Sequence, residues 1–288
     1  MVHYPDFPHP TKINQKLKFS RGYFENTLDK SERYKILRYS TNIIGWNSKL
    51  TDIALHDINK DHPIDVASRQ RCIELLEKHD HSEKKITLEI GCSNGNLISN
   101  FQEINKYNYV GSDAQSPRIM DLARLYSNIP FIEFDLIKNP FLESTFNNIV
   151  MLNVLEHIEN DQLALDNVFK ILEKNGLLII EVPAVSFLYD DYDKQLLHFR
   201  RYDMKNLIDK LINSGFMIEK KTHLGFMVFP FFFITKLINK IFKKKVEIIK
   251  MANISDNIVL KVLFKIEKKL SNFSLPFGVR CYVCARKK

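Results

Sequence analysis

The stretch that most restricts the fold is Leu88-Glu89-Ile90-Gly91-Cys92-Ser93-Asn94-Gly95-Asn96. An apolar run of β type (Ile86, Leu88, Ile90) enters a turn with two glycines, and a helical segment follows from Leu97. A strand–turn–helix of this kind brings backbone N–H groups and a helix N-terminus up to a ligand, and glycine permits close approach. Acidic residues then close the next two apolar runs. Asp113, with Ala114 beside it, follows Tyr109-Val110-Gly111-Ser112, and Asp135 follows Phe131-Ile132-Glu133-Phe134. The ordered series implies a site for a nucleoside-bearing cofactor.

The surrounding pattern alternates strands and helices, as in a parallel sheet with crossover helices. Residues 86–90, 107–112, 131–134, 149–153 and 177–182 read as strands; 63–78, 97–104, 117–126, 161–172 and 204–214 read as helices. In the first of these helices Pro63 suits a first-turn position, and Val66, Ile73, Leu75 and Leu76 supply an apolar face. Glu89, Gly91, Asp113, Asp135 and Asn153 all fall at carboxyl ends of strands, where open α/β sheets bind ligands.

The order of these motifs resembles that of the class I, Rossmann-like, S-adenosylmethionine-dependent methyltransferases. Glu89, Gly91 and Gly95 match their acidic-x-Gly-x-Gly-x-Gly motif, with Ser93 in place of the middle glycine and Asn96 after the last. Asp113 matches the acid that binds both ribose hydroxyls, and Asp135 with Leu136 the pair beside the adenine. Asn153-Val154-Leu155-Glu156-His157-Ile158 matches the segment that flanks the methionine moiety. The resemblance covers about Pro63 to Ile218 and the last ten residues. It implies a doubly wound, seven-stranded, mostly parallel sheet that takes S-adenosylmethionine and releases S-adenosylhomocysteine. A nicotinamide frame fails, because Gly-x-x-x-Gly is not Gly-x-Gly-x-x-Gly, although Asp113 would supply its acid. Glu89 also suits a cofactor with a positive amino group and would repel a pyrophosphate.

Beyond this core the sequence is less explicit. Residues 1–60 read as an N-terminal extension with helical stretches over 31–48, including the only tryptophan, Trp46. The cofactor domain occupies 61–225, and its last strand 278–288. Residues 226–277 look like a helical insertion before that strand. From Lys220 onward there are 16 basic and 3 acidic residues, a net charge of +13, whereas the preceding 219 residues carry 26 basic and 31 acidic ones. The insertion opens on a phenylalanine-rich run too short to cross a bilayer as a helix. It continues with Ile234, Leu237, Ile238, Ile241 and Phe242 at helical spacing between lysines, and a second helix is expected at about 258–270. Two readings stand: a helical lid with solvated lysines, or an in-plane helix on an anionic membrane. Lysine dominance and clustered phenylalanines argue against nucleic acid. No secretion signal is recognisable, and four scattered cysteines fit a reducing cytoplasm, with contact at the inner membrane face under the second reading. Cys281-x-x-Cys284 lies in a strand pattern, where i and i+3 face opposite ways, so it reads as structural. No metal site is expected.

Methyl transfer from a sulfonium needs the acceptor held in line, and a hydroxyl acceptor gains from a general base. His157 and His198 are the candidates, with His157 alternatively positioning the cofactor. The segment Asp193-Lys194-Gln195-Leu196-Leu197-His198-Phe199-Arg200-Arg201-Tyr202 resembles an Asp-x(4)-His-x-Arg-Arg-Tyr loop of many bacterial methyltransferases that act on glycans and other secondary metabolites. It faces the acceptor side in that family. Arg200 and Arg201 either hold a phosphate or carboxylate, or with Tyr202 tie the loop to the next helix with Asp203 as N-cap. The expectation is O-methylation of a small or lipid-linked bacterial metabolite such as a glycan. The alternatives are an aromatic or quinone-like acceptor, or a non-catalytic cofactor-binding module docking a membrane or partner.

Overall fold

The computed structural model describes residues 4–39, 62–81, 85–104, 106–114, 116–242, 258–270 and 273–288. Five short strands come first: β1 (Phe7–Pro8), β2 (Lys16–Ser20), β3 (Tyr23–Asn26), β4 (Arg33–Tyr34) and β5 (Leu37–Arg38). The core follows as α1 (Pro63–His79), β6 (Ile86–Ile90), α2 (Ile98–Ile104), β7 (Asn108–Asp113), α3 (Ile119–Leu125), β8 (Phe131–Glu133), β9 (Phe146–Leu152), α4 (Asp161–Ile171) and β10 (Leu172–Pro183). The chain continues through α5 (Asp191–Gln195), α6 (Met204–Asn213), β11 (Phe216–Leu224), α7 (Phe229–Phe242), α8 (Ile258–Lys269) and β12 (Arg280–Lys287).

The main sheet has eight strands in the order β11-β12-β10-β9-β6-β7-β8-β5. β12 is antiparallel to both neighbours and every other pairing is parallel. One strand more than expected is present, because Leu37 and Arg38 pair with Ile132 and Glu133 at the far edge. Arg38 also pairs its guanidinium with the Glu133 carboxylate.

The N-terminal extension corrects a sequence expectation. Its described part is β rather than helical, β1 to β4 forming a separate antiparallel sheet, and residues 40–61, including Trp46, lie outside the described residues. The local signal was period two: Leu17 is buried between exposed Lys16 and Lys18. Arg21 and Gly22 both have positive φ, 51° and 81°, as a two-residue hairpin between Ser20 and Tyr23 requires.

Parallel strands are covered on both faces, so both faces are apolar. One face buries Leu88, Val110, Ile149, Met151, Leu178 and Ile180; the other buries Tyr109, Val150, Leu177, Ile179 and Tyr282. Cys281 belongs to the first cluster and Cys284 to the second, and all four cysteines are buried free thiols. Helix α1 lays Cys72, Leu75 and Leu76 on the second face, and Tyr282 donates its hydroxyl to the Ser68 carbonyl at 3.1 Å.

The segment between β11 and β12 leaves and returns at one point. Val279 N donates to Leu224 O at 2.8 Å, so the two ends of the excursion are pinched together. Glu267 of α8, only 2% exposed, accepts the amides of Gly225 and Met227 at 2.8 and 3.2 Å and ties the second helix to that neck. No helix among the described residues is long and apolar enough to cross a membrane. Lys243, Lys244 and Lys245 lie outside the described residues.

Candidate active site

Strand order reverses between β6 and β9, and the crevice at such a switch point is where an open α/β sheet receives its ligand. The glycine turn follows β6 there. Gly91 and Cys92 both donate their amides to the Ser112 carbonyl at 2.8 Å, holding the turn against β7. Gly91, Ser93 and Gly95 have φ of 83°, 45° and 70°. A Cβ on Gly91 would stand 2.5 Å from Val154 Cγ2, so the absent side chain lets the turn touch the segment after β9. Ser93 holds the left-handed conformation that the middle motif glycine would adopt freely, and its amide donates to Asp113 Oδ2 at 2.9 Å. The side-chain oxygens of Asn94 and Asn96 are buried without a hydrogen-bond partner in the structure.

Glu89 is buried at the end of β6 and receives the Tyr109 hydroxyl. Burial pushes its carboxyl up to about 8, so it is largely neutral near pH 7. Asp113 and half-buried Ala114 close β7, and Asp113 also accepts the Phe134 amide through its carbonyl at 3.1 Å. Asp135 and buried Leu136 lie beyond β8, two strands from the glycine turn; Asp135 caps its own short turn by accepting Ile137 N at 2.9 Å. Asn153, with φ of 53°, donates its amide to the Glu181 main-chain carbonyl and its Nδ2 to the Glu181 carboxylate, each at 2.9 Å. Arg280 reaches the same carboxylate at 2.8 Å and Asp65 of α1 at 2.7 Å, so β9, β10, β12 and α1 converge on the rim of the crevice.

Beyond Asn153 and Val154 a 3-10 turn carries Glu156 and His157. The rings of His157 and His198 meet edge to face with centroids 4.7 Å apart. Burial first, and His198 second, push the His157 imidazole down to about 4, leaving it neutral. Glu156 is fully buried and burial pushes its carboxyl up to about 8. Ligand atoms of Glu156, His157 and His198 all lie within 4.8 Å of one another. Sequence reasoning singles out both histidines as candidate bases and passes over Glu156, although it adjoins His157 in the motif.

Asp193 organises the other side of His198. It is wholly inaccessible and accepts His198 Nδ1 at 3.1 Å, Arg201 Nε at 2.8 Å through both oxygens, the Asp190 amide at 3.1 Å and Lys236 Nζ at 3.1 Å. Burial works to raise its carboxyl, but His198, Arg201 and Lys236 outweigh it and hold it well below the usual range. An ionised carboxylate only accepts, so Nδ1 of His198 carries the proton in that contact.

Arg200, Arg201 and Tyr202 of this loop are tied to neighbouring groups. Arg201 also donates to the Ala184 carbonyl at 3.2 Å. Arg200 pairs with Asp161 at 2.7 Å and donates to the Glu159 carbonyl at 2.7 Å. Tyr202, 1% exposed, donates its hydroxyl to Asp161 at 2.9 Å. Asp203 stands at the N-cap of α6 but its carboxylate accepts from Ser186 instead of the helix, so the capping expected from sequence is replaced by a tie to the loop after β10. Lys236 departs from both readings of the insertion's lysines, as a solvated surface or on membrane headgroups: it is 7% exposed and paired with Asp190 at 2.7 Å as well as Asp193.

A family profile described as a methyltransferase domain matches residues 65–216. No curated protein sequence matches the chain significantly. Among solved structures the chain is similar to an S-adenosylmethionine-dependent methyltransferase from Thermotoga maritima, described as a possible histamine N-methyltransferase. The identity is 14%, the TM-score 0.54, and the match covers 84% of this chain and 99% of that one. It is also similar to phosphoethanolamine N-methyltransferase 2 of Haemonchus contortus, solved with phosphomonomethylethanolamine and S-adenosylhomocysteine (13% identity, TM-score 0.51, 76% of this chain and 52% of that one). A third similar structure is the (4+2)-cyclase SpnF (16% identity, TM-score 0.52, 76% of this chain and 80% of that one). At these identities the likeness is one of fold.

Proposed function

The chain belongs to the methyltransferase-domain family and is an S-adenosylmethionine-dependent methyltransferase; from that premise we propose that it methylates a hydroxyl on a small or lipid-linked metabolite such as a glycan. The observation that carries this reading is the His157–His198 pair, which stands one short turn beyond the Val154 side chain that touches the glycine turn. The pair therefore borders the cofactor crevice on one side and the loop 190–203 on the other.

The residues fit the cofactor. The left-handed turn at Gly91, Ser93 and Gly95 leaves backbone room, Asp113 stands at the end of the next strand, and Glu89 offers a buried carboxyl to an amino group. Asn94 and Asn96 present side-chain oxygens with no partner of their own. When bound, the cofactor supplies an electrophilic methyl on a sulfonium. In this reading Asp135 and Leu136 border the adenine, Asn153 and Val154 the methionine end, and His157 and His198 handle the acceptor hydroxyl. Arg200, Arg201 and Tyr202 shape the acceptor loop through Asp161 and Asp193.

A lipid-linked acceptor is supported by the surface of the insertion, 226–277. Phe231, Ile234, Ile258, Val259 and Val262 are exposed on α7 and α8, beside Lys261, Lys265, Lys268 and Lys269. Exposed apolar residues flanked by lysines suit an anionic membrane surface. An aromatic acceptor is favoured by one observation, the stack of Phe226, Phe229 and Phe277 with centroids 4.6 and 5.2 Å apart at the neck.

Calorimetric titration with S-adenosylmethionine, S-adenosylhomocysteine and NAD tests the cofactor frame, repeated on Asp113→Ala. Micromolar binding of the first two, none of NAD, and loss in the variant are expected. Product formation is then assayed with hydroxylated glycan and lipid-linked pools; methylation confined to amines would overturn the acceptor reading.

A further inference from the structure

Both carboxylate oxygens of Glu156 are buried, and neither has a hydrogen-bond partner in the structure. A buried carboxyl without partners is costly, and natural structures seldom leave one so without a ligand, ion or proton to compensate. These oxygens are not isolated: they share a 4.8 Å cluster with one nitrogen each of His157 and His198. His198 is held from behind, Nδ1 to Asp193 at 3.1 Å, and that carboxylate is itself fixed by Arg201 and Lys236. A carboxylate behind an imidazole fixes the tautomer and aims the other nitrogen, the usual outer-shell arrangement of a metal-bound histidine.

We propose that Glu156, His157 and His198 form a binding site for one divalent transition-metal ion. Two imidazole nitrogens and one carboxylate select ions such as Zn²⁺, Fe²⁺, Co²⁺ or Mn²⁺ over Ca²⁺ and Mg²⁺, which prefer all-oxygen shells. Glu156 and His157 are adjacent on one 3-10 turn, and His198 arrives from the loop after β10, so the site closes only when that loop is docked. Three protein ligands leave coordination positions open.

The role of the ion rests on the acceptor reading above. The acceptor hydroxyl takes an open position, where the ion makes it more acidic and orients it. Its proton passes to water, a bond forms between the oxygen and the methyl carbon, and the carbon–sulfur bond breaks with its electron pair staying on sulfur. His198 then serves as a ligand, and Asp193 as a positioning residue acting through it.

The test uses the full chain freed of metal with a chelator and titrated with Co²⁺, followed by its visible ligand-field absorption, with Zn²⁺ as competitor. Saturation at one ion per chain is expected, without the intense thiolate charge-transfer that the buried cysteines would give. Glu156→Gln and His198→Ala should each weaken binding about tenfold or more, and Asp193→Asn by about 10–100-fold, as outer-shell losses do. Glu143→Gln, an exposed site, should leave it unchanged. Absence of saturable binding by the wild-type chain overturns the proposal, as does binding indifferent to Glu156→Gln and His198→Ala in variants whose circular dichroism is native. Since the readout needs neither cofactor nor acceptor, it stands or falls separately from the hydroxyl-methylation reading.

Discussion

Lys236 Nζ lies 3.1 Å from Asp193 Oδ2, so a lysine of the insertion helix completes the charge around the carboxylate that holds His198. The contact joins two segments of different character: an apolar, basic helix outside the alternating strands and helices of the core, and the loop that presents His198. Phe232 of the same helix lies under the Arg201 guanidinium at 5.6 Å and Tyr192 beside Lys236 at 5.1 Å. The insertion is thus coupled to the site through one buried ionic cluster.

Removing one partner from such a cluster leaves an uncompensated buried charge. Lys236→Met should lower the unfolding free energy by about 3 kcal/mol, since breaking a buried pair typically costs 3–5 kcal/mol and Arg201 remains. Urea denaturation at pH 7 measures it. A loss below about 0.5 kcal/mol, the size of an exposed pair, would mean that the contact is not maintained in solution.

In the proposed reading His198 handles the acceptor, and other residues build the cofactor frame. His198→Ala should reduce the turnover number about 100-fold or more, the scale of a positioned acid–base or ligating group. The dissociation constant for S-adenosylhomocysteine should stay within about threefold. An unchanged turnover number would remove His198 from the chemistry.

The glycine turn separates two superficially similar changes. Gly91→Ala puts a methyl 2.5 Å from Val154 at a φ of 83° and should weaken cofactor binding about tenfold or more, through strain of 1–2 kcal/mol plus displacement of Val154. Ser93→Gly relieves a φ of 45° but adds freedom to the unfolded chain, and the two effects of about 0.5–1 kcal/mol nearly cancel. Paired calorimetric and thermal-melt measurements distinguish the outcomes.

Glu89 provides a pH signature. Burial raises its carboxyl to about 8, well above the unfolded value near 4.3, so the neutral form is favoured in the folded protein. The contribution to stability is therefore lost progressively as pH rises from about 4.3 to about 8 and is constant beyond. A cofactor ammonium beside it would favour ionisation, so binding at pH 7 should release about one proton and at pH 9 almost none. Calorimetry in buffers of different ionisation enthalpy reads this directly, and Glu89→Gln should abolish the difference.

The exposed apolar face of the insertion makes a prediction about surfaces. The protein should cosediment with vesicles containing anionic lipid, weakly with neutral ones, and the binding should fall with salt, each lysine contributing about 1 kcal/mol near the surface. Phe231 and Ile258 are 73% and 74% exposed, so the double change Phe231→Glu, Ile258→Glu should abolish binding without disturbing the fold. Retention of binding in that variant would point away from the two helices.

The local sequence was sufficient where a property is local. The period of Ile86–Ile90 and the spacing of Gly91 and Gly95 fixed a strand, a turn and a helix, because side-chain periodicity and positive φ are settled within a few residues. The rule that ligands meet the carboxyl ends of strands then puts Glu89, Asp113 and Asn153 at one edge from sequence alone. Even the N-terminal strands carry their signal, in the alternation over Lys16–Ser20 and the Arg21-Gly22 hairpin.

What only the tertiary structure decided is which distant groups share a buried space. Glu156 and His198 are separated by 41 residues of intervening chain, and Asp193 and Lys236 by 42. No periodicity links such positions; they meet because β9 and β10 are neighbours and because the insertion folds back over the loop that follows β10. In sequence Lys236 is one lysine among many and Glu156 one carboxyl of a motif. Desolvation makes the first an obligatory partner of Asp193 and leaves the second without one, and desolvation is a property of the packed chain.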